Sequence, residues 1–210
     1  MIKIVSIERE FGCGGSVVAE KLAAHLGWKL LDQSLTEEIA RLAQVSPAAV
    51  EKCDGRLDPL IYRLGKVFWR GSYERSLPVS SQETFDADRM VALVKQVVEQ
   101  AAASGHCVIL GRGSPYFLRD RKDTLRVFLF APRAFKFHFL KAHTKSEAEA
   151  NELLDSIDRD RKDFVKHYFG AEWPLRSLYH AMINTEIGED LVLATILNLM
   201  DALNKKEVSA

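Results

Sequence analysis

Apolar positions change rhythm several times along the chain. Residues 2–7 form a short, mostly apolar run without helical spacing, as expected of a strand buried on both faces. Between 17 and 26, Val17, Val18, Leu22, Ala23 and Leu26 repeat at helical spacing, predicting a helix that stops at Gly27. Residues 28–31 predict a second short strand closing on Asp32. Ser34 or Thr36 can cap a further helix carrying Ile39, Leu42 and Val45 on one face. Ser46-Pro47 then opens another helical turn, with the proline at its first position.

Regularity weakens over 54–86, where Gly55, Pro59, Gly65, Gly71 and Pro78 are mixed with Tyr62, Phe68, Trp69 and Tyr73. The aromatic content argues against disorder and predicts an irregular helical lobe laid over the core. Helical spacing returns at 86–103 through Met90, Leu93, Val94, Val97 and Val98, and Ser104-Gly105 ends it. Residues 107–110 and 125–130 predict strands, the first running into Gly111-Arg112-Gly113 and the second stopped by Pro132. A long charged helix over 147–168, a last strand at 181–184 and a closing helix at 191–203 complete the pattern. Strands alternating with helices predict one α/β domain over 1–210, a three-layer α/β/α fold with a parallel sheet of about five strands.

Composition narrows this picture only where it excludes something. Formal net charge is zero, so no overall basic field points to nucleic acid. Cys13, Cys53 and Cys107 stand at unrelated spacings and give neither a disulfide framework nor a metal pattern, which suits a reducing cytoplasm. Neither a signal-peptide pattern nor an apolar run near the ~18 residues of a membrane span is present, so a cytoplasmic protein without membrane contact is expected.

The first strand breaks into Gly12-Cys13-Gly14-Gly15-Ser16 and leads directly into a helix. A strand, a glycine turn and a helix start form a phosphate cradle: glycines aim backbone N–H groups at one spot and the helix end adds partial positive charge. Against the pattern G-x-x-x-x-G-K-[ST], Gly14 and Ser16 fall in register, while Gly15 stands where the lysine belongs and Arg9 where the first glycine belongs. A tight turn without a ligand is the plain alternative. Ser16 can cap the helix or ligate Mg²⁺.

Ligands of parallel α/β sheets sit beyond the carboxyl ends of the strands. Asp32, Gly111–Gly113 and Asn184-Thr185 stand at such ends together with the glycine loop. Arg112 between two glycines suits close approach to a phosphate, or simply pairs with a carboxylate. The run Asp158 to Asp163 with Lys166 reads equally as a solvated helix face or as a lid presenting Arg159, Lys162 and Lys166. The six histidines show no ligand spacing, and no G-x-S-x-G nucleophile motif occurs.

Taken in order, several stretches resemble the cytidylate kinase-like proteins, bacterial relatives of cytidylate kinase in the P-loop nucleoside monophosphate kinase group. They are Ile7 through Gly15, Ala19-Glu20-Lys21-Leu22-Ala23, Leu31-Asp32, Ile109-Leu110-Gly111-Arg112-Gly113 and Val127-Phe128-Leu129-Phe130-Ala131-Pro132. Tyr168-Phe169-Gly170, Trp173, Tyr179-His180 and Ile183-Asn184-Thr185 complete the series. The resemblance implies ATP- and Mg²⁺-dependent phosphoryl transfer to a nucleoside monophosphate, with CMP or dCMP the leading acceptor. A weakly active nucleotide sensor, or a kinase of a small non-nucleotide acceptor, is the alternative.

By the same resemblance, Gly12, Cys13, Gly14, Gly15, Ser16 and Val17 hold the ATP phosphates, Ser16 reaching the metal. Asp32, Arg112 and Asp163 meet the acceptor. Arg9, Arg112, Arg159 and Lys166 supply catalytic charge, residues 54–86 the acceptor lobe and 147–170 the lid. The partners implied are ATP and a small phosphorylated acceptor, bound by a monomer or homodimer. The sequence departs from the family's kinases at Gly15, for the loop lysine, and at Gly113, for the aspartate after the arginine.

Overall fold

The computed structural model describes residues 1–32, 87–141, 144 and 146–208. The helices expected after Asp32, the acceptor lobe and Cys53 lie outside these residues.

The described residues hold one sheet of five parallel strands in the order β2-β3-β1-β4-β5. Its strands are β1 (Ile4–Arg9), β2 (Lys29–Leu31), β3 (Cys107–Leu110), β4 (Thr124–Phe130) and β5 (Ala181–Asn184). Around them lie α1 (Gly15–Leu26), α2 (Ala87–Ser104), the short α3 (Ser114–Phe117), α4 (Arg133–Lys141), α5 (Glu147–Phe169) and α6 (Glu189–Val208). Alternate side chains of each strand feed opposite faces, so the core divides in two. Ile4, Ile109 and Phe128 pack with Val94 and Val98 of α2 and Phe164 and Val165 of α5. Val5, Ile7, Val108, Val127 and Leu129 pack with Val18 and Leu22 of α1 and Val192 and Ile196 of α6. This is the expected three-layer arrangement. No described helix is long and apolar enough to cross a membrane.

Two elements depart from the sequence reading. β1 runs two residues further than its apolar pattern, through Glu8 and Arg9, both buried. α4 was not expected at all. Phe135, Phe137 and Phe139 alternate with the period of a strand, yet the segment is helical because successive phenylalanines serve different surroundings. Phe135 packs on the core between α1 and α6, Phe137 packs beside Leu140 under α5, and Phe139 is exposed.

A third apolar cluster joins Phe11 to Leu140 of α4 and to Ala150, Leu153, Leu154 and Ile157 of α5. α5 begins at Ser146, whose hydroxyl accepts the Glu149 amide at 3.1 Å, and ends at left-handed Gly170. At about 1.5 Å per residue it reaches from beside the glycine turn to the aromatic cluster under α2.

At the opposite end of the sheet, His180 meets Arg126 twice. Its Nδ1 accepts the Arg126 amide at 2.9 Å, and its Nε2 lies 3.3 Å from the guanidinium. Burial and the Arg126 charge both lower its pKa from the ordinary 6.5. The folded state therefore favours neutral imidazole: its contribution is present above the unfolded pKa and is lost as pH falls through the folded one. His180→Gln, which retains an acceptor, is expected to flatten the fall in Tm between about pH 6.5 and 5, as thermal melts across that range would show. An unchanged slope would remove His180 from the acid sensitivity of the fold.

Candidate functional site

The site is built where β1 gives way to α1. Gly12 and Gly14 turn the chain at φ of 77° and 76°, a left-handed backbone that side-chain-bearing residues rarely adopt. Gly14 is the N-cap of α1, which has no side-chain cap and no acidic residue in its first turn. Ser16 is thus not the cap. Its half-buried hydroxyl has no hydrogen-bond partner among the described residues.

Gly15 lies against the Cys13 sulfur, which donates to the Leu129 carbonyl at 3.7 Å, and the Val18 amide bonds the Gly14 carbonyl. The amides of Gly12, Cys13, Gly14, Ser16 and Val17 have no acceptor among the described residues. Such a set at an uncapped helix start is a cradle for an anion. The middle of the loop is fixed from beneath: Thr185, just past β5, donates its hydroxyl to the Cys13 carbonyl at 2.7 Å. The strand end at Asn184-Thr185 therefore holds the loop. Cys13 itself is buried, and burial pushes its thiol up to about 11, so it stays protonated at neutral pH.

Arg9 explains the glycine at 15. A Cβ built on Gly15 would lie 3.0 Å from both Cβ and Cγ of Arg9, and one on Gly111 only 2.1 Å from Arg9 Nη1. The Arg9 side chain thus passes over Gly15 and brings its guanidinium against the backbone at the end of β3. It is buried, and its pKa is lowered by that burial and by Arg161, against the pull of Glu8 and Asp32.

Gly111, Arg112 and Gly113 follow with φ of 69°, 60° and 66°. Three successive left-handed residues are unusual, and for the arginine the conformation costs about 1–2 kcal/mol. The turn aims a buried guanidinium at the same region. Burial lowers the Arg112 pKa to about 10, with Asp32 opposing and Arg9 and Arg161 adding to the fall. It remains a cation at neutral pH. Asp32, half-buried past β2, and the buried Glu8 are the carboxylates that both arginines sense.

Of the expected residues, the structure brings the glycine loop, Arg9, Arg112 and Asp32 together. Arg159 and Lys166 are exposed on α5, Arg159 near Asp155, and Asp163 is half-buried on the same helix. The cation that α5 sends inward is Arg161, which is buried and lies 6.0 Å from the Trp173 ring centroid. Glu8, Asp158 and Lys136 were missed with it. The signal for Arg161 is in the sequence: it continues the stripe Leu154, Ile157, Arg161, Phe164 at steps of three, four and three, standing where a core residue belongs.

This sheet order, with a glycine loop between its central strand and first helix, defines a P-loop kinase-like fold of the nucleoside monophosphate kinase group. Within it, the chain belongs to the cytidylate kinase-like family, whose profile matches residues 4–187. An uncharacterized protein from Eubacterium ventriosum shares the fold with a TM-score of 0.68 at 20% identity, covering 96% of this chain and 99% of that one. Shikimate kinase from Acinetobacter baumannii, in complex with shikimate, aligns with a TM-score of 0.53 at 15% identity, covering 96% and 94%. The shikimate kinase from Bacteroides thetaiotaomicron aligns equally well, at 0.53 and 15% identity over 96% and 98%. No curated protein matches the chain in sequence.

Proposed function

We propose that the protein transfers the γ-phosphoryl group of ATP to a nucleoside monophosphate in a Mg²⁺-dependent reaction, with CMP or dCMP the leading acceptor. One observation carries this reading. The loop amides without acceptors lie at one end of a single buried side chain, Arg9, and the buried Arg112, with Asp32 acting on its charge, follows the backbone at the other end. Phosphoryl transfer requires positioning and charge more than covalent chemistry, so a donor cradle, an acceptor cation and a guanidinium between them are its essential parts.

In this reading the amides of Gly12 to Val17 receive the donor phosphates. Arg9 screens the transferred group from the side that a loop lysine would occupy. Arg112 and Asp32 orient the acceptor. The acceptor phosphate is anionic at neutral pH and attacks in line, so no strong general base is needed. Among the described residues no cluster of His, Cys, Asp and Glu could hold a metal by itself. Mg²⁺ therefore fits as an ion brought with the nucleotide, the unpartnered Ser16 hydroxyl being its protein ligand. When bound it neutralises charge on the donor phosphates.

A nucleotide sensor is the second reading, favoured by the glycine at position 15. A coupled assay with ATP, Mg²⁺ and a panel of nucleoside monophosphates and small phosphorylated or hydroxylated metabolites decides. Turnover on CMP or dCMP is expected, and Arg112→Gly should lower kcat/KM by about a hundredfold or more. Its stability should change by only ~1 kcal/mol, because glycine is at ease in the backbone that strains arginine. ATP binding without turnover would establish the sensor. No ATP binding at millimolar ligand would overturn both readings.

A further inference from the structure

β1 does not end where its neighbour leaves it. In a parallel sheet, alternate residues of a central strand address opposite neighbours. The Ile7 carbonyl accepts from the Gly111 amide on the β3 side, and the Glu10 amide donates to the Leu129 carbonyl on the β4 side, at 2.9 Å. After Gly111 the chain turns away, and the next group on that edge, the Arg9 amide, donates to Oε1 of Glu8 at 3.1 Å; beyond it come the carbonyl of Arg9 and the amide of Phe11.

Two side chains of α5 take them. Arg161 Nη1 donates to the Arg9 carbonyl at 2.8 Å, and Asp158 Oδ1 accepts the Phe11 amide at 2.9 Å. The same guanidinium nitrogen donates to Asp158 at 3.0 Å, so the two side chains are tied to each other across one helical turn. The Phe11 side chain sits among Leu140, Leu153, Leu154 and Ile157. Lys136 of α4 binds Glu10 at 2.7 Å and lies 3.6 Å from Asp158.

We infer that Asp158 and Arg161 are positioning residues that continue the β3 edge for two further bonds. They hold the backbone extended to Phe11, so that the glycine turn begins at Gly12 and its amides converge. Donor affinity is thereby coupled to the docking of α5, by groups that need not touch the nucleotide. The inference rests on the donor role proposed for this loop.

The test separates a backbone clamp from an ion pair. Asp158→Asn removes the charge but retains an oxygen for the Phe11 amide; Asp158→Ala removes both. Calorimetry with ATP and Mg²⁺ should show affinity about tenfold or more weaker in the alanine variant and within about threefold of the wild type in the asparagine variant. CMP affinity, measured alone, should stay within about twofold in both. Arg161→Met, which retains bulk and removes the donor, should follow the alanine variant, and replaces it if that protein does not fold. Equal losses in the alanine and asparagine variants, unchanged ATP affinity in the alanine variant, or parallel loss of both ligands would each overturn the inference.

If wild-type protein binds no ATP, the donor reading fails first, and amide exchange in the unliganded protein still decides the clamp. The Glu10 and Val18 amides should exchange faster in Asp158→Ala than in Asp158→Asn. Equal rates would overturn it.

Discussion

Gly111→Ala is expected to remove most activity and to lower Tm by about 5 °C, although the change adds one methyl group far from the glycine loop in sequence. The new Cβ would stand 2.1 Å from Arg9 Nη1, a separation that real atoms do not show, on a backbone at φ 69°. The left-handed conformation alone costs alanine about 1–2 kcal/mol. The guanidinium is the far end of a flexible side chain and can swing aside, which parts it from Glu8, 4.0 Å away, and takes it out of its place beside the loop. If Arg9 screens the transferred phosphoryl group, kcat/KM should fall by about a hundred- to a thousandfold, as for Arg9→Ala. Thermal melts and the coupled assay on both variants check this together. Activity within a few-fold of the wild type, with the expected loss of Tm, would show that the Arg9 guanidinium has no part in turnover.

The second large effect opposes what the motif alone suggests. Restoring the loop lysine by Gly15→Lys is expected to lower activity, since its Cβ would come within 3.0 Å of Cβ and Cγ of Arg9 and 3.5 Å of the Cys13 sulfur. The near end of the Arg9 side chain is tied to the strand and has little freedom to yield, so about 1–3 kcal/mol of stability should be lost. The remedy is to exchange both positions. Arg9→Gly combined with Gly15→Lys places the glycine and the lysine where the phosphate-loop pattern has them, and removes the collision. The pair should recover activity relative to either single change, with a coupling of about 1–3 kcal/mol in a double-mutant cycle. Additive losses would mean that the two stems do not compete for the same space.

These predictions depend on Arg9, and the sequence shows why its role was only half legible. The motif identified Arg9 and Gly15 as the two departures from the phosphate loop, yet not that the stem of one crowds the backbone of the other. That relation is a close approach between residues six apart in sequence, invisible to any periodicity. Apolar rhythm served well where packing alone sets the element. The strands at Cys107–Leu110 and Ala181–Asn184 lie where it put them, and the layer order follows from the alternation of strands and helices.

Rhythm misled where polar groups are buried or aromatic groups are divided among surroundings. Glu8 and Arg9 fell outside the expected strand because a charged strand end has no apolar pattern. The segment with Phe135, Phe137 and Phe139 shows no helical rhythm because the helix that carries them serves two clusters. Arg161 was passed over because its neighbours Arg159 and Lys162 are exposed and made the whole run look solvated. Its place in the apolar stripe of α5 was the contrary signal.

The sealed thiol at Cys13 has a practical consequence. With its sulfur shielded under the loop and held in the neutral form, an alkylating reagent can reach it only when the turn unfolds from its seat over Thr185. The rate of modification at that one sulfur therefore measures how often the cradle comes apart, and occupancy of the cradle should slow it in proportion.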